Sequence, residues 1–156
     1  MKQILSALSI ETPGEGFTDI TSAINQWIVK NKIHQGILVI SIQHTSCSLT
    51  INENADPRVL ADLSSYMRAL VPEEGIRPVS GKGPNVSYQH SDEGADDMPA
   101  HIKTSLTCCS LSLSIDNSKL VLGTWQAIYL WEHRYLSHSR KINLHAIGEI
   151  LGSNTL

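Results

Sequence analysis

The chain has 156 residues, 12 Lys and Arg against 15 Asp and Glu, a formal net charge of -3, and seven histidines beside three Met and one Phe. That length suits one domain over residues 1–156, burying about 70% of its unfolded surface, and 41% apolar content excludes disorder. Slight acidity with scattered basic residues argues against a nucleic-acid binder, and apolar runs such as 37–40 are far short of the ~20 residues of a membrane span.

Residues 2–10 alternate weakly and are expected to form a strand, with a turn at 12–16. Thr18 is placed to cap a helix over 19–30, where Ile20, Ile24, Trp27 and Ile28 share a face. Gly36 opens a strand over 37–43, apolar on both faces at first, as in a central strand. Asp56 caps and Pro57 opens a second helix, with Val59, Leu60, Leu63, Met67 and Leu70 as its stripe. Residues 71–85 hold three Pro and three Gly and form a long loop, a common home for binding functions. A short strand over 86–90, an acidic loop over 91–97 and a short helix from about Pro99 come next. Strands over 109–115 and 119–131, joined by a turn at Asp116-Asn117, and a last strand over 141–150 complete an α+β pattern.

Three histidines sit where chemistry is possible. His44 ends the central strand in phase with Leu38, Ile40 and Ile42; His90 ends the short strand; His101 lies in the helix after the acidic loop. Three neutral imidazoles with a fourth position open match a catalytic zinc-type site. Spacing alone favours three locally bonded histidines, because no HExxH-type pattern joins them. The acids Asp92, Glu93, Asp96 and Asp97 can supply a metal ligand, a base or an acceptor for a ligand histidine, or simply cap the helix. Thr45, Ser46 and Ser48 offer hydroxyls and amides to a phosphate, or continue a strand. Glu53, between Asn52 and Asn54, suits an acid/base group or a hydrogen bond between subunits. Gln126 needs a partner if buried, either a ligand or a structural one. Lys103, Arg134 and Arg140 can each meet an anion or face water. Cys47 fits as small packing. Cys47 and the adjacent Cys108 and Cys109 do not form a disulfide framework, which points to a reducing cytoplasm.

Several blocks together resemble the YjbQ family. They are Gln43-His44-Thr45-Ser46 through Asn52-Glu53-Asn54 with Asp56-Pro57; Tyr88-Gln89-His90 through Glu93-Gly94-Ala95-Asp96-Asp97-Met98-Pro99 with His101-Ile102-Lys103; Gly123-Thr124-Trp125-Gln126; and Glu132-His133-Arg134. The resemblance implies a domain of packed, mostly antiparallel β-sheets with a few helices, assembled as a homotrimer. It implies thiamine-phosphate synthase activity, joining a pyrimidinylmethyl diphosphate to a thiazole phosphate with release of pyrophosphate. It also implies a divalent metal, zinc before magnesium, on His44, His90 and His101. Glu53, Asp97 and Gln126 are then the candidate catalytic groups, and Thr45, Ser46, Lys103, Trp125 and Arg134 the candidate substrate contacts. His133 is expected beside the site, whereas His34, His138 and His145 have no assigned role. Substituting His44, His90 or His101, but not His34, is expected to release the metal. Two other functions use the same residues: a zinc-type hydrolase of a small phosphorylated or acyl compound, and a non-catalytic trimeric protein that binds a small ligand.

Overall fold

The computed structural model describes residues 1–152, so the last four residues of the expected domain lie outside the described residues. In chain order the elements are β1 (Lys2–Thr12), β2 (Gly16–Asp19), α1 (Thr21–Lys30), β3 (Ile33–Ile42), β4 (Cys47–Glu53), α2 (Pro57–Leu70), α3 (Asp97–Leu106), β5 (Ser110–Asp116), β6 (Lys119–Leu120), β7 (Gln126–Glu132) and β8 (His138–Ile150). Every pairing between these strands is antiparallel. A five-stranded sheet has the order β1-β8-β3-β5-β6, and a three-stranded sheet has the order β2-β7-β4.

Alternation along the strands sends one face of each sheet inward. Leu38, Ile40, Leu113, Ile115, Ile142 and Leu144 of the larger sheet share one apolar cluster with Leu49, Ile128 and Leu130 of the smaller. The expected stripe of α1, Ile20, Ile24, Trp27 and Ile28, closes that cluster. β3 is the middle strand of its sheet, as expected, yet only its inner face is covered. Outward, Ile37 (57% exposed) and Val39 (37%) lie beside Ile147 and His145 of β8, with Leu5 of β1 next in the row. Gly36 and Gly148 face each other where β3 and β8 run closest: a Cβ at Gly148 would stand 2.1 Å from the Gln35 carbonyl oxygen.

Several elements differ from expectation. Helix α1 starts at Thr21, because residues 16–19 pair with β7, and Asp19 rather than Thr18 receives the Thr21 N–H at 2.8 Å. The expected strand over 86–90 is reduced to one bridge between Ile76 and Val86. The expected strand over 119–131 is two strands in different sheets. It breaks at Gly123, whose carbonyl accepts the Gln126 N–H at 3.0 Å in a tight turn. Asp56 does cap α2, accepting the Arg58 N–H at 2.9 Å, but the α2 stripe is only half-covered and no residue of the helix is fully buried.

The buried polar groups cluster where β4 and β7 end beside β8. Glu132 is fully buried and receives Arg140 through Nε at 2.7 Å and Nη2 at 2.5 Å, with Thr12 Oγ1 donating at 2.8 Å. Burial alone would raise this carboxyl, but bonds from Arg140, the Arg134 N–H and Thr12 outweigh it and hold it below the usual range. Cys47 lies opposite Glu132 in the β4–β7 ladder.

Candidate metal centre

Asp97 is the first residue of α3, and His101 is one turn further on, so both project from the same helix face. The His101 Nδ1 meets the Thr45 carbonyl at 2.9 Å. A carbonyl can only accept, so Nδ1 donates and Nε2 is the atom turned to the carboxylate. That Nε2 lies 3.6 Å from Asp97 Oδ1. His90 comes in from the preceding loop, its Nε2 2.8 Å from Asp97 Oδ2 and its ring centroid 5.3 Å from that of His101. One donor atom from each of His90, Asp97 and His101 fits within a 4.8 Å span.

Burial is graded across the cluster. The Asp97 side chain is 3% exposed, that of His101 32% and that of His90 51%, so the carboxylate forms the floor and the imidazoles the open side. Asp97 Oδ2 is buried and accepts no hydrogen bond among the described residues, despite its closeness to His90. A buried carboxylate oxygen without a donor is costly. A carboxylate that faces one imidazole nitrogen with each oxygen is suited to a cation. Two imidazoles and a carboxylate with an open side are a donor set for zinc, which fits the residues present.

Arg134 holds this floor in place. Its Nη1 pairs with Asp97 Oδ1, its Nε donates to Asp96 Oδ2 at 3.0 Å, and its Nη2 donates to the Glu93 carbonyl at 2.8 Å. The acidic loop is thereby tied to the start of α3. Asp96 also accepts the Tyr135 N–H at 2.9 Å. The acids thus position the cluster as well as contributing to it.

Several expected site residues have other work in this chain. His44 does not join His90 and His101: its Nε2 accepts the Lys141 N–H at 2.8 Å, and burial together with Arg140 lowers its pKa. The third donor in the cluster is Asp97, which was expected as a catalytic group. Lys103 was expected to meet phosphate. Its ammonium is instead buried 2.9 Å from Glu15, which also receives Arg68. Ser46 Oγ accepts Arg140 at 3.1 Å, Thr45 contributes its carbonyl, and Arg134 is engaged as above. Glu53, Trp125 and Gln126 lie at the other end of the β4–β7 ladder. Cys47 pairs with Glu132 at the cluster end and Glu53 with Gln126 at the far end, a separation of roughly 20 Å at ~3.3 Å per residue. There Gln126 is exposed, its Oε1 accepting the Gly123 N–H at 2.7 Å, and Trp125 is 64% exposed. Within one chain, no small substrate touches both ends.

His133 lies inside the protein, its ring 5.1 Å from that of Trp131. It is 1% exposed, with Nε2 2.9 Å from Ser48 Oγ. Burial, aided by Lys103, lowers its pKa to about 4. The native state therefore keeps it neutral while the unfolded chain protonates it near 6.5. Its contribution is fully present above pH 6.5 and is lost as pH falls towards about 4, on the order of 3 kcal/mol in all. Urea unfolding across that window should show the loss, and His133→Asn should flatten it. An unchanged slope in the variant would remove His133 as the cause. Cys47 is buried with its thiol pushed up to about 12, so it carries no thiolate at neutral pH and packs as expected.

The family model for UPF0047 protein YjbQ-like matches residues 6–149. A UPF0047 protein of Synechocystis sp. is 42% identical over 149 residues, 96% of this chain and 95% of that protein. The UPF0047 protein YjbQ of Escherichia coli O157:H7 is 40% identical over 136 residues, 86% of this chain and 91% of its own length. A crystal structure of a YjbQ/UPF0047 protein from Clostridium acetobutylicum superposes with a TM-score of 0.75 at 34% identity, covering 91% of this chain and 99% of that one. Fold, motif blocks and relatives agree, and the chain belongs to the YjbQ (UPF0047) family.

Proposed function

We propose that the chain is a metal-dependent enzyme with thiamine-phosphate synthase activity, working at the His90–Asp97–His101 cluster. The observation that carries the metal is the buried Asp97 carboxylate: its Oδ2 accepts no hydrogen bond yet lies 2.8 Å from His90 Nε2, and its Oδ1 lies 3.6 Å from His101 Nε2. Zinc is the preferred ion, since magnesium favours sites made of oxygen atoms. A divalent ion supplies Lewis acidity to an oxygen of the leaving group. His101 is fixed by Thr45 with Nε2 available, and Arg134 holds Asp97 still. In the reaction the thiazole nitrogen forms a bond to the pyrimidinylmethyl carbon. The carbon–oxygen bond to the diphosphate breaks, and pyrophosphate leaves with its electron pair. The assembly is read as a homotrimer. The uncovered apolar row of Leu5, Ile37, Val39 and Ile147 supports self-association, and native mass measures it. Cytoplasmic residence is supported by three free cysteines, and no helix among the described residues is long and apolar enough to cross a membrane.

The test supplies zinc-loaded protein with both substrates and follows thiamine phosphate. Turnover is expected in the wild type and is expected to be absent in His90→Ala. Equal product from both proteins sinks the transfer reading. One observation favours a second reading. Lys103, Arg134 and Arg140, the cations expected to receive phosphate, are all committed to internal carboxylates. A centre whose expected phosphate cations are engaged elsewhere suits hydrolysis of one substrate by water. Release of phosphate from either substrate alone would select that reading.

A further inference from the structure

The cations that sequence reasoning assigned to phosphate are spent inside the protein, which raises the question of which cation is free. Arg77 is exposed, and among the described residues it makes no hydrogen bond or ion pair. It borders a cavity of about 430 Å³ between the end of α2, the loop before α3 and α3 itself. The walls are apolar: Leu70, Ile76, Ile102 and Leu106, with the ring of Tyr88. This volume is in the range of sites for small organic ligands.

The cavity is held open by backbone bonds. Ile76 and Val86 exchange N–H···O bonds of 2.8 and 2.9 Å, and the Tyr88 hydroxyl donates to the Pro72 carbonyl at 3.0 Å. Gly75 sits at a φ of 101°, where a Cβ would lie 2.3 Å from the Val86 carbonyl oxygen. Tyr88 also borders a smaller cavity of about 300 Å³ that contains His90. The apolar cavity and the metal cluster are therefore neighbours across one side chain. Glu73 and Glu74 do not border the apolar cavity; they border the one with His90 and also a third, of about 390 Å³, that Arg77 lines from its other side, and Glu73 is bound by the Tyr135 hydroxyl.

We propose that this cavity is a subsite for a ring-bearing phosphate monoester, its ring against Tyr88 and Ile102 and its phosphate on Arg77. Apolar walls select an organic body, and a single free guanidinium selects an anion with paired oxygens. The proposal rests on the reading that the substrate is phosphorylated. It gives that substrate a place beside the cluster, leaving the cluster itself for the reacting bond.

The probe is phenyl phosphate, titrated calorimetrically into protein stripped of metal with EDTA, with inorganic phosphate and phenol as controls. Phenyl phosphate should bind the stripped protein, and both controls should bind much more weakly. Arg77→Gln should weaken binding about tenfold or more, as expected for loss of a charged hydrogen-bond pair. Leu106→Glu places a like charge at the mouth, at a position 57% exposed that should fold normally, and should weaken it too. His90→Ala should bind as the wild type does. Equal binding by Arg77→Gln and wild type overturns the subsite, as does binding that appears only with metal. Equal affinity for inorganic phosphate also overturns it, since the ring would then count for nothing. Zinc binding is titrated separately, so failure of the metal centre leaves this result unchanged.

Discussion

Asp97→Asn is expected to abolish stoichiometric zinc binding, and His44→Ala to leave it intact. The neutral amide keeps the shape of the side chain but loses the charge that the cluster places between His90 and His101. Losing even a group that only orients a ligand costs about 10–100-fold in metal affinity, so losing a ligand should cost more. His90→Ala and His101→Ala should behave like Asp97→Asn. His44 has its Nε2 occupied by the Lys141 N–H and should be dispensable. Zinc content after dialysis, with cobalt(II) absorption as a check on ligand geometry, reads the result. Zinc retained by Asp97→Asn and lost by His44→Ala would restore the three-histidine set and overturn the cluster.

Glu132→Ala should cost about 3–5 kcal/mol, the range for breaking one side of a buried ion pair. The loss would come mainly from what remains: Arg140, 4% exposed, would keep its charge with only Ser46 for company. Replacing both partners with apolar residues, Glu132→Leu with Arg140→Met, should recover much of the loss. Acid should act on the same pair. The Glu132 carboxyl is held below its ordinary value, so its contribution is present above pH 4.5 and is lost as pH falls through the lowered folded value. Urea midpoints for the three proteins decide this. A single-variant cost below about 1 kcal/mol would mean that Arg140 finds water and that the pair is not sealed.

The α1 core face, the Asp56-Pro57 start of α2 and the long outer strands were legible because each rests on local periodicity or capping. β2 was not, because four residues beside a turn carry too little pattern, and their strand state comes from pairing with β7. The division of 119–131 was hidden for a related reason: its two halves are equally apolar, and only the topology shows that they serve different sheets. At the site, His90 and His101 were singled out, but His44 was favoured over Asp97. The signal for Asp97 was present in its four-residue spacing from His101, which puts both on one face of a helix. It was masked because the helix was expected to begin at about Pro99, leaving Asp97 in the loop. Lys103 was misjudged through its partner. Glu15 lies 88 positions away in sequence, and nothing local announces it.

The outermost strand of the larger sheet, β1, pairs along its whole length with β8, from Lys2 opposite Gly148 to Thr12 opposite His138. β8 in turn provides one of the two neighbours of β3. The sheet therefore cannot close until nearly the entire chain is available, and its defining contacts span more than a hundred positions. Loop closure of that length delays the reward for ordering the strands, which places folding at the slow end for a domain of this size. A nascent chain that has emerged only through β7 would hold β1 without its partner and β3 with one side open. Such a chain exposes unpaired strand edges during synthesis, when they are most prone to associate wrongly.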